Sequence, residues 1–536
     1  MKNISFYLFF LIVFFYGCSS YNDVSHEPTF TGDIVDKSSW YSDMNTGVVD
    51  VFINIPSPNT SLCSPYTDTL APERSCTFDD VNNDLGAYDS YKPLLNVMIS
   101  ADGFSAKSEN AEFKLRGDFS RLSLQKSYSL KLFSDTNLFM KQRKFNFIKH
   151  QSDKSRMKNR LAFDLIREIP NLTSLKMQFF HLYINDEDYG LFSHAEAIRE
   201  EYLVNRGWNK NDRLYNAVGF MFENRDELAL DDQGEPLDEE IFESVLEIKN
   251  GKEHNTLLEM VDAVNSDIPI DTVIETYFNR KNYVAWLALN LVLSNKDTTW
   301  HNFYLYNPEN SKKFYFLPWD YDGAWATTEY LGRFEYGVSV WWESPLHKKF
   351  LSVQANLDEV YATAQEFRNK YITDANVIEK LDSYEPTVRP FMSVLPDSVK
   401  NNDDGWKIAR DALVTGIEDN MNLYKSVIGS PMPFREYASY QNGELKLSWQ
   451  ESFDVEGDNI VYDINVSSEK DFSQIVFSAQ NIEALSYSKT IDLSPGVYYF
   501  QVVAKEQDDS SHYQISFDTI YDENGTYYGV KELEVN

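Results

Sequence analysis

The densest chemistry in the chain lies in Asn295-Lys296-Asp297-Thr298-Thr299-Trp300-His301-Asn302 and, further on, Pro318-Trp319-Asp320-Tyr321-Asp322-Gly323. Asn302 follows Asp297 by five residues, and Asp320 returns a second carboxylate. A carboxylate and an amide oxygen can hold a divalent cation against phosphate groups, while a further Asp accepts the proton of an attacking hydroxyl. That is the inventory of phosphoryl transfer. The same residue types also cap helices and turns, which is their purely structural use. Paired acids among aromatics suit a sugar cleft too, and Phe, Tyr and Trp make up 15% of this chain.

The text around these residues shows how they could meet. Asp271 to Asn295 reads as helix, and Tyr283 to Leu293 is apolar nearly all round, so that stretch must be buried. Asp297 then sits on the loop beyond the helix, and Asn302 opens a short strand. Asn307-Pro308-Glu309-Asn310 marks a turn, and a returning strand, Phe314 to Leu317, brings Asp320 beside Asn302. Gly323 is expected to let the chain turn, and Trp300 and Trp319 to pack in the core. Upstream, strands are predicted over 49–55, 94–99, 111–115, 126–133 and 179–184, the last followed by a turn over 185–188. Met157, Leu161, Leu165 and Ile169 form one apolar face of a helix over 153–169. Residues 355–428 read as helical, with breaks near Pro386 and Pro396. After Gly429-Ser430-Pro431-Met432-Pro433 come short alternating strands, Leu445–Trp449, Val461–Val466 and Val497–Val503, the pattern of a β-sandwich. Within it, Asp454-Val455-Glu456-Gly457-Asp458 reads as a solvated turn, because it lacks the ligand run of a calcium loop.

With 536 residues, 43% of them hydrophobic, the chain has material for two or three globular domains. A net charge of −34 repels phosphate backbones, which argues against nucleic acid as a partner. No stretch after residue 20 approaches the roughly 18 apolar residues of a spanning helix. Lys2, the apolar run Ile4–Tyr16 and Gly17 read as a secretion signal. A Cys directly after the small residue, Cys18, resembles the lipobox of bacterial lipoproteins. That implies acylation of Cys18 and a lipid anchor to the membrane, hence an exported protein on the periplasmic side or the cell surface. Cys63 and Cys76 remain, and in an oxidising compartment they are expected to pair, a closure contributing about 3 kcal/mol.

Protein kinases also place a catalytic Asp five residues before a metal-binding Asn, with a second metal-binding Asp after a hairpin. Asp297 to Asn302 together with Pro318 to Asp322 resembles the signature of the spore-coat protein H (CotH) kinase family. So do Leu115-Arg116-Gly117-Asp118-Phe119-Ser120-Arg121, Lys126-Ser127-Tyr128 with Lys131, Asp153-Lys154-Ser155, Asn159-Arg160, and Tyr189-Gly190 with Glu196, which follow in family order over about residues 48–428. The resemblance implies an atypical protein-kinase-like, two-lobed α+β fold that uses ATP with Mg²⁺ or Mn²⁺ to phosphorylate Ser or Thr of a protein substrate. On it, Asp297 is the catalytic residue and Asn302 and Asp320 are metal ligands, with Asp322 as a further carboxylate beside them. Arg116, Arg121, Lys126 and Lys131 are the candidate phosphate-binding cations, guanidinium forks standing where a glycine-rich loop would be. Strand alternation would put Lys126 and Lys131 on opposite faces, and Lys126 is preferred. Residues 432–536 resemble a fibronectin type III module, an all-β immunoglobulin-like sandwich. The expected organisation is therefore a lipoprotein signal over 1–18, a tether over 19–47, the kinase-like domain over 48–428 and the sandwich over 432–536. A non-catalytic surface adhesin or scaffold that keeps the same fold is the alternative function.

Overall fold

The computed structural model describes residues 32–64, 71–84, 86, 91–117, 119–325, 333–335, 337–399 and 401–536. The leader and Cys18 lie outside the described residues. Seven strands with alternating apolar residues close into a barrel: β1 (Val48–Asn54), β2 (Leu95–Ala101), β3 (Ala111–Leu115), β4 (Tyr128–Leu132), β5 (Lys144–Ile148), β6 (Met177–Ile184) and β7 (Glu187–Ala195). Their order is β1-β2-β3-β4-β5-β7-β6, and β6 closes the ring by pairing parallel with β1. Val51, Ile53, Val97, Ile99, Phe113 and Phe180 fill the interior. The β6–β7 turn is tighter than the sequence pattern suggested. Only Asn185 and Asp186 intervene, both at positive φ (49° and 67°), the backbone of a two-residue hairpin that Asn and Asp tolerate. Cys63 and Cys76 are joined by a disulfide beside the barrel core.

A second lobe is built on a four-stranded antiparallel sheet of β8 (Arg213–Ala217), β9 (Leu246–Asn250), β10 (Phe303–Asn307) and β11 (Tyr315–Pro318), in the order β9-β8-β10-β11. The apolar helix packs beneath it, Trp286 stacking on Phe316 with ring centroids 4.5 Å apart. The helical stretch expected from Asp271 onward is two helices, Ile270–Tyr277 and Arg280–Val292. Asn279 divides them because its side chain accepts the Asn282 N–H (3.0 Å) and caps the second. Helices Gln354–Lys370, Asp374–Met392 and Asp403–Ile428 complete the lobe. The break expected near Pro386 is absent. Pro386 and Pro390 both sit inside Asp374–Met392 on its exposed side, where the carbonyls they cannot bond face solvent rather than core.

After Ile428 the chain enters a two-layer all-β module. Strands Glu436–Gln441, Glu444–Trp449 and Ser486–Thr490 form one sheet; Ile475–Ile482, Ile460–Ser467 and Gly496–Glu506 form the other, with Tyr513–Ile515 and Lys531–Val535 also paired to Gly496–Glu506. Trp449, Tyr462, Ile464, Phe500 and Val502 are buried between them. No helix among the described residues is long and apolar enough to cross a membrane.

Candidate active site

The β10–β11 register pairs Phe303 with Pro318, so Asn302 and Asp320 both lie at the open end of the hairpin. Each has a left-handed backbone, φ 59° and 53°, which Asn and Asp enter more readily than other non-glycine residues. Asn302 Nδ2 donates to Asp297 Oδ2 at 2.9 Å, and His301 Nε2 lies 2.9 Å from Asp297 Oδ1. The turn after Asp320 comes as near to Asp297 as the chain permits, because a Cβ on Gly323 would stand 3.3 Å from the Asp297 Cβ. Gly323 does not have the left-handed backbone, so it serves this close approach rather than a special turn.

The helix Lys158–Ile166 supports the cluster from behind. Asn159 Nδ2 donates to Asp320 Oδ1 (3.4 Å), and the Asn159 Oδ1 accepts the Tyr321 N–H (3.1 Å). Lys158 Nζ donates to the Ala324 carbonyl (2.7 Å), and His150 Nδ1 is 3.3 Å from Asp322 Oδ2. Burial, then the neighbouring Asp322 and Asp297 charges, push the Asp320 carboxyl up to about 7 against the pull of Arg116 and His150. Asp322 moves the other way. Burial would raise it, but the His150 hydrogen bond and the charges of His150, Arg116 and Lys158 hold it below the usual carboxylate range. Asp320, Asp322 and the Asn302 amide oxygen are all hard oxygen donors. A carboxyl that resists ionising among its neighbours is stabilised as the anion by added positive charge, so the set fits Mg²⁺ or Mn²⁺.

Arg116, just past β3, lies 5.9 Å over the Trp319 ring, and its charge is felt by Asp320 and Asp322 and also by Lys144. Lys144 belongs to a cavity of about 370 Å³ between β3–β5 and β9 lined by the cations Lys114, Lys131, Arg143, Lys144, Arg199 and Lys249 and by the acids Glu112, Glu200 and Glu201. Burial first, then Arg199, Lys249, Lys114 and Arg116, push Lys144 down to about 7. Lys114 is lowered by burial first, then by Lys92, Arg199 and Lys131, against the pull of Glu112. Arg116 thus stands between an acidic end and a basic end. The basic end, with Arg116, offers several cations to an anion.

Two of the four cations expected there are placed elsewhere. Arg121 is buried, its guanidinium donating to Asp84 through Nε (3.0 Å) and Nη2 (2.7 Å to Oδ1) and to the Tyr91 carbonyl (2.8 Å). It belongs to the barrel's structure. Lys126 donates to the Arg121 carbonyl beside that pair. The alternation argument does not reach it, since β4 begins only at Tyr128. Lys131 is on β4, exposed, and on the cavity, opposite Lys144 in the β4–β5 register. Trp319 is buried as expected, but Trp300 is 47% exposed and meets only His301 edge-on at 4.0 Å among the described aromatic contacts. Lys114, Lys144, Arg199, Lys249 and His150 went unforeseen. The one trace of them in the sequence is a lysine set among apolar strand residues, as in Phe113-Lys114-Leu115.

Residues 113–430 match the CotH kinase protein family. The chain belongs to that family. The match ends where the all-β module begins, so the acid cluster and the basic cavity both fall within the family's part of the chain. The Inner spore coat protein H of Bacillus subtilis (strain 168) is 26% identical over 317 residues, covering 55% of this chain and 81% of that protein. Among solved structures, the Helicobacter pylori proinflammatory kinase CtkA is 11% identical, covering 55% of this chain and 90% of its own, with a TM-score of 0.23. The golgi casein kinase is 10% identical, covering 72% and 76%, with a TM-score of 0.25. At scores that low neither structure bears on the site.

Proposed function

We propose that this chain is an exported, lipid-anchored atypical protein kinase that transfers the γ-phosphate of ATP to Ser or Thr of a surface or envelope protein. The observation that supports this best is the meeting of Asp297, Asn302, Asp320 and Asp322 at one hairpin end, with Arg116 leading from them to a cationic cavity. Asp297 has the role of accepting the acceptor hydroxyl's proton as its oxygen bonds to the γ-phosphorus and the bond to the β-phosphate oxygen breaks, leaving ADP. Asn302 and His301 hold the two oxygens of Asp297, which fixes the carboxylate's direction. A divalent cation held by Asp320, Asn302 and Asp322 would offset the phosphate charge. Arg116 and Lys144 would face the phosphate oxygens from the other side, and Asn159 keeps Asp320 in place. The export half of the reading rests on the leader sequence and on a relative whose name places it in a spore coat.

The test is label transfer from γ-labelled ATP by the purified full chain with Mg²⁺ or Mn²⁺, reading a generic acceptor and autophosphorylation. Incorporation into Ser or Thr, lost in both Asp297→Ala and Asp320→Ala, is the expected result. Absence of incorporation together with absence of metal-dependent ATP binding would favour the adhesin or scaffold instead.

A further inference from the structure

A second group of acids lies far from the kinase-like site, at the end of the all-β module that faces the helical lobe. Asp454, Asp458 and Glu506 each offer an oxygen, and the three atoms lie within 4.8 Å of one another. Three oxygens no more than 4.8 Å apart always have a point within about 2.8 Å of all of them, so shifts of a few tenths of an ångström would bring them to the roughly 2.3–2.6 Å of Ca²⁺ ligands. Mg²⁺, at about 2.1 Å and with stricter octahedral demands, fits that span less well.

The turn expected from the sequence is present: Asp454 Oδ1 accepts the N–H groups of Glu456 (2.8 Å), Gly457 (2.9 Å) and Asp458 (3.2 Å), and Gly457 has φ +84°. The turn does not account for the whole carboxylate. Asp454 is only 9% exposed, and its other oxygen, Oδ2, is buried with no hydrogen-bond partner. A buried carboxylate oxygen left so is costly unless a cation meets it. The third acid could not be found by reading the turn. Glu506 ends the strand Gly496–Glu506 and is set opposite Ile460, just beyond Asp458, by the strand register. It is 6% exposed and is bonded by His512 Nδ1 (2.9 Å). The adjoining open cavity, about 1000 Å³, is lined by Asp454 and Asp458, and Lys348 is its single described lining cation.

We propose that Asp454, Asp458 and Glu506 form a Ca²⁺ site that ties the module to the kinase-like domain. The residues flanking Asp454 belong to the domain boundary. Phe453 stacks on Trp342 at 5.5 Å, and Phe453 and Val455 both pack against the larger core. Arg435 of the module also pairs with Glu343. An ion binding Asp454 on one side therefore fixes a loop whose other side is part of the domain boundary, so occupancy stiffens that boundary. The affinity expected for an open three-carboxylate site is that of extracellular calcium modules, on the order of 10⁻⁴–10⁻³ M.

The experiment is a calorimetric titration of CaCl₂ into the full chain with Mg²⁺ already present, paired with thermal unfolding with and without Ca²⁺. Asp458 is exposed, so Asp458→Asn leaves the fold intact; Glu506→Gln is the second variant, and Asp320→Ala is the control for the kinase-like site. Ca²⁺ should bind and raise the Tm of the wild type and of Asp320→Ala. In Asp458→Asn and Glu506→Gln the binding should weaken about tenfold or more and the Tm shift should disappear. No Ca²⁺ binding by the wild type beyond Mg²⁺, or binding unchanged in both variants, would overturn the proposal.

Discussion

Asp320 in the acid cluster and Lys144 in the cationic cavity carry opposite charges, yet both are pushed towards the same value, about 7. The cause is shared: each is half-buried, desolvated and crowded by its own sign, Asp320 by Asp322 and Asp297, Lys144 by Arg199, Lys249 and Lys114. Elsewhere in the barrel lobe Arg121 shows the contrasting solution. It is fully buried, but Asp84 neutralises it within the fold. The Arg121–Asp84 pair is closed and structural. The acid cluster and the cationic cavity are each crowded by one sign despite partial counter-charges, Arg116 and Lys158 at the first and Glu112, Glu200 and Glu201 at the second, and a ligand bearing both a cation and phosphates would relieve both.

The predictions break that contrast in order of expected size. Asp297→Ala removes the proton acceptor and should lower the rate of transfer by roughly 10²–10⁴-fold, measured as initial rate at saturating ATP, with the unfolding midpoint unchanged. Arg121→Ala leaves Asp84 buried without its partner and should cost about 3–5 kcal/mol of stability, read from urea unfolding. ATP affinity of the folded fraction should stay the same. Lys144→Met reverses that pattern. It should leave stability equal or higher, since a half-buried crowded cation is removed, and weaken ATP binding by about tenfold or more, a charged hydrogen bond contributing roughly 1.5–3 kcal/mol.

The smallest effects are in pH. Asp320 has a folded value above that of an unfolded Asp, so between about 4 and about 7 the folded state holds more protons. Stability of the metal-free protein therefore falls as pH rises through that window. The difference in urea midpoint between the wild type and Asp320→Asn, taken at pH 5 and pH 8, should show this slope apart from the opposite one of buried His194, His254 and His347, and Mg²⁺ should flatten it by favouring the carboxylate. Proton exchange on binding should have opposite signs at the two ends. Metal binding at pH 6 releases a proton from Asp320, whereas phosphate binding at pH 8 takes one up on Lys144. Calorimetry in buffers of different ionisation heat separates the two.

The acid end was legible because its residues sit in one short stretch, where helix, loop and hairpin fix their meeting. Spacing and turn signals bring Asp297, Asn302 and Asp320 together, and the family resemblance gives them their expected roles. The basic end was not, because Lys114, Lys144, Arg199 and Lys249 come from four separate elements. One cation per strand looks like a solvated residue until barrel closure and the second sheet bring them together. Arg121 misled for the converse reason. A guanidinium beside a glycine reads as a phosphate fork, and only the fold reveals that Asp84 occupies it. Pro386 likewise reads as a helix break, though a proline on the exposed side of a long helix need not end it.

The most direct test that the acid cluster and the cationic cavity serve one ligand is calorimetric titration of ATP into the wild-type chain, Asp320→Ala and Lys144→Met, each with and without Mg²⁺. The account predicts binding by the wild type that depends on Mg²⁺, loss of that dependence in Asp320→Ala, and weakened binding in Lys144→Met. Wild-type affinity retained by both variants, or no ATP binding by the wild type under either condition, would contradict it.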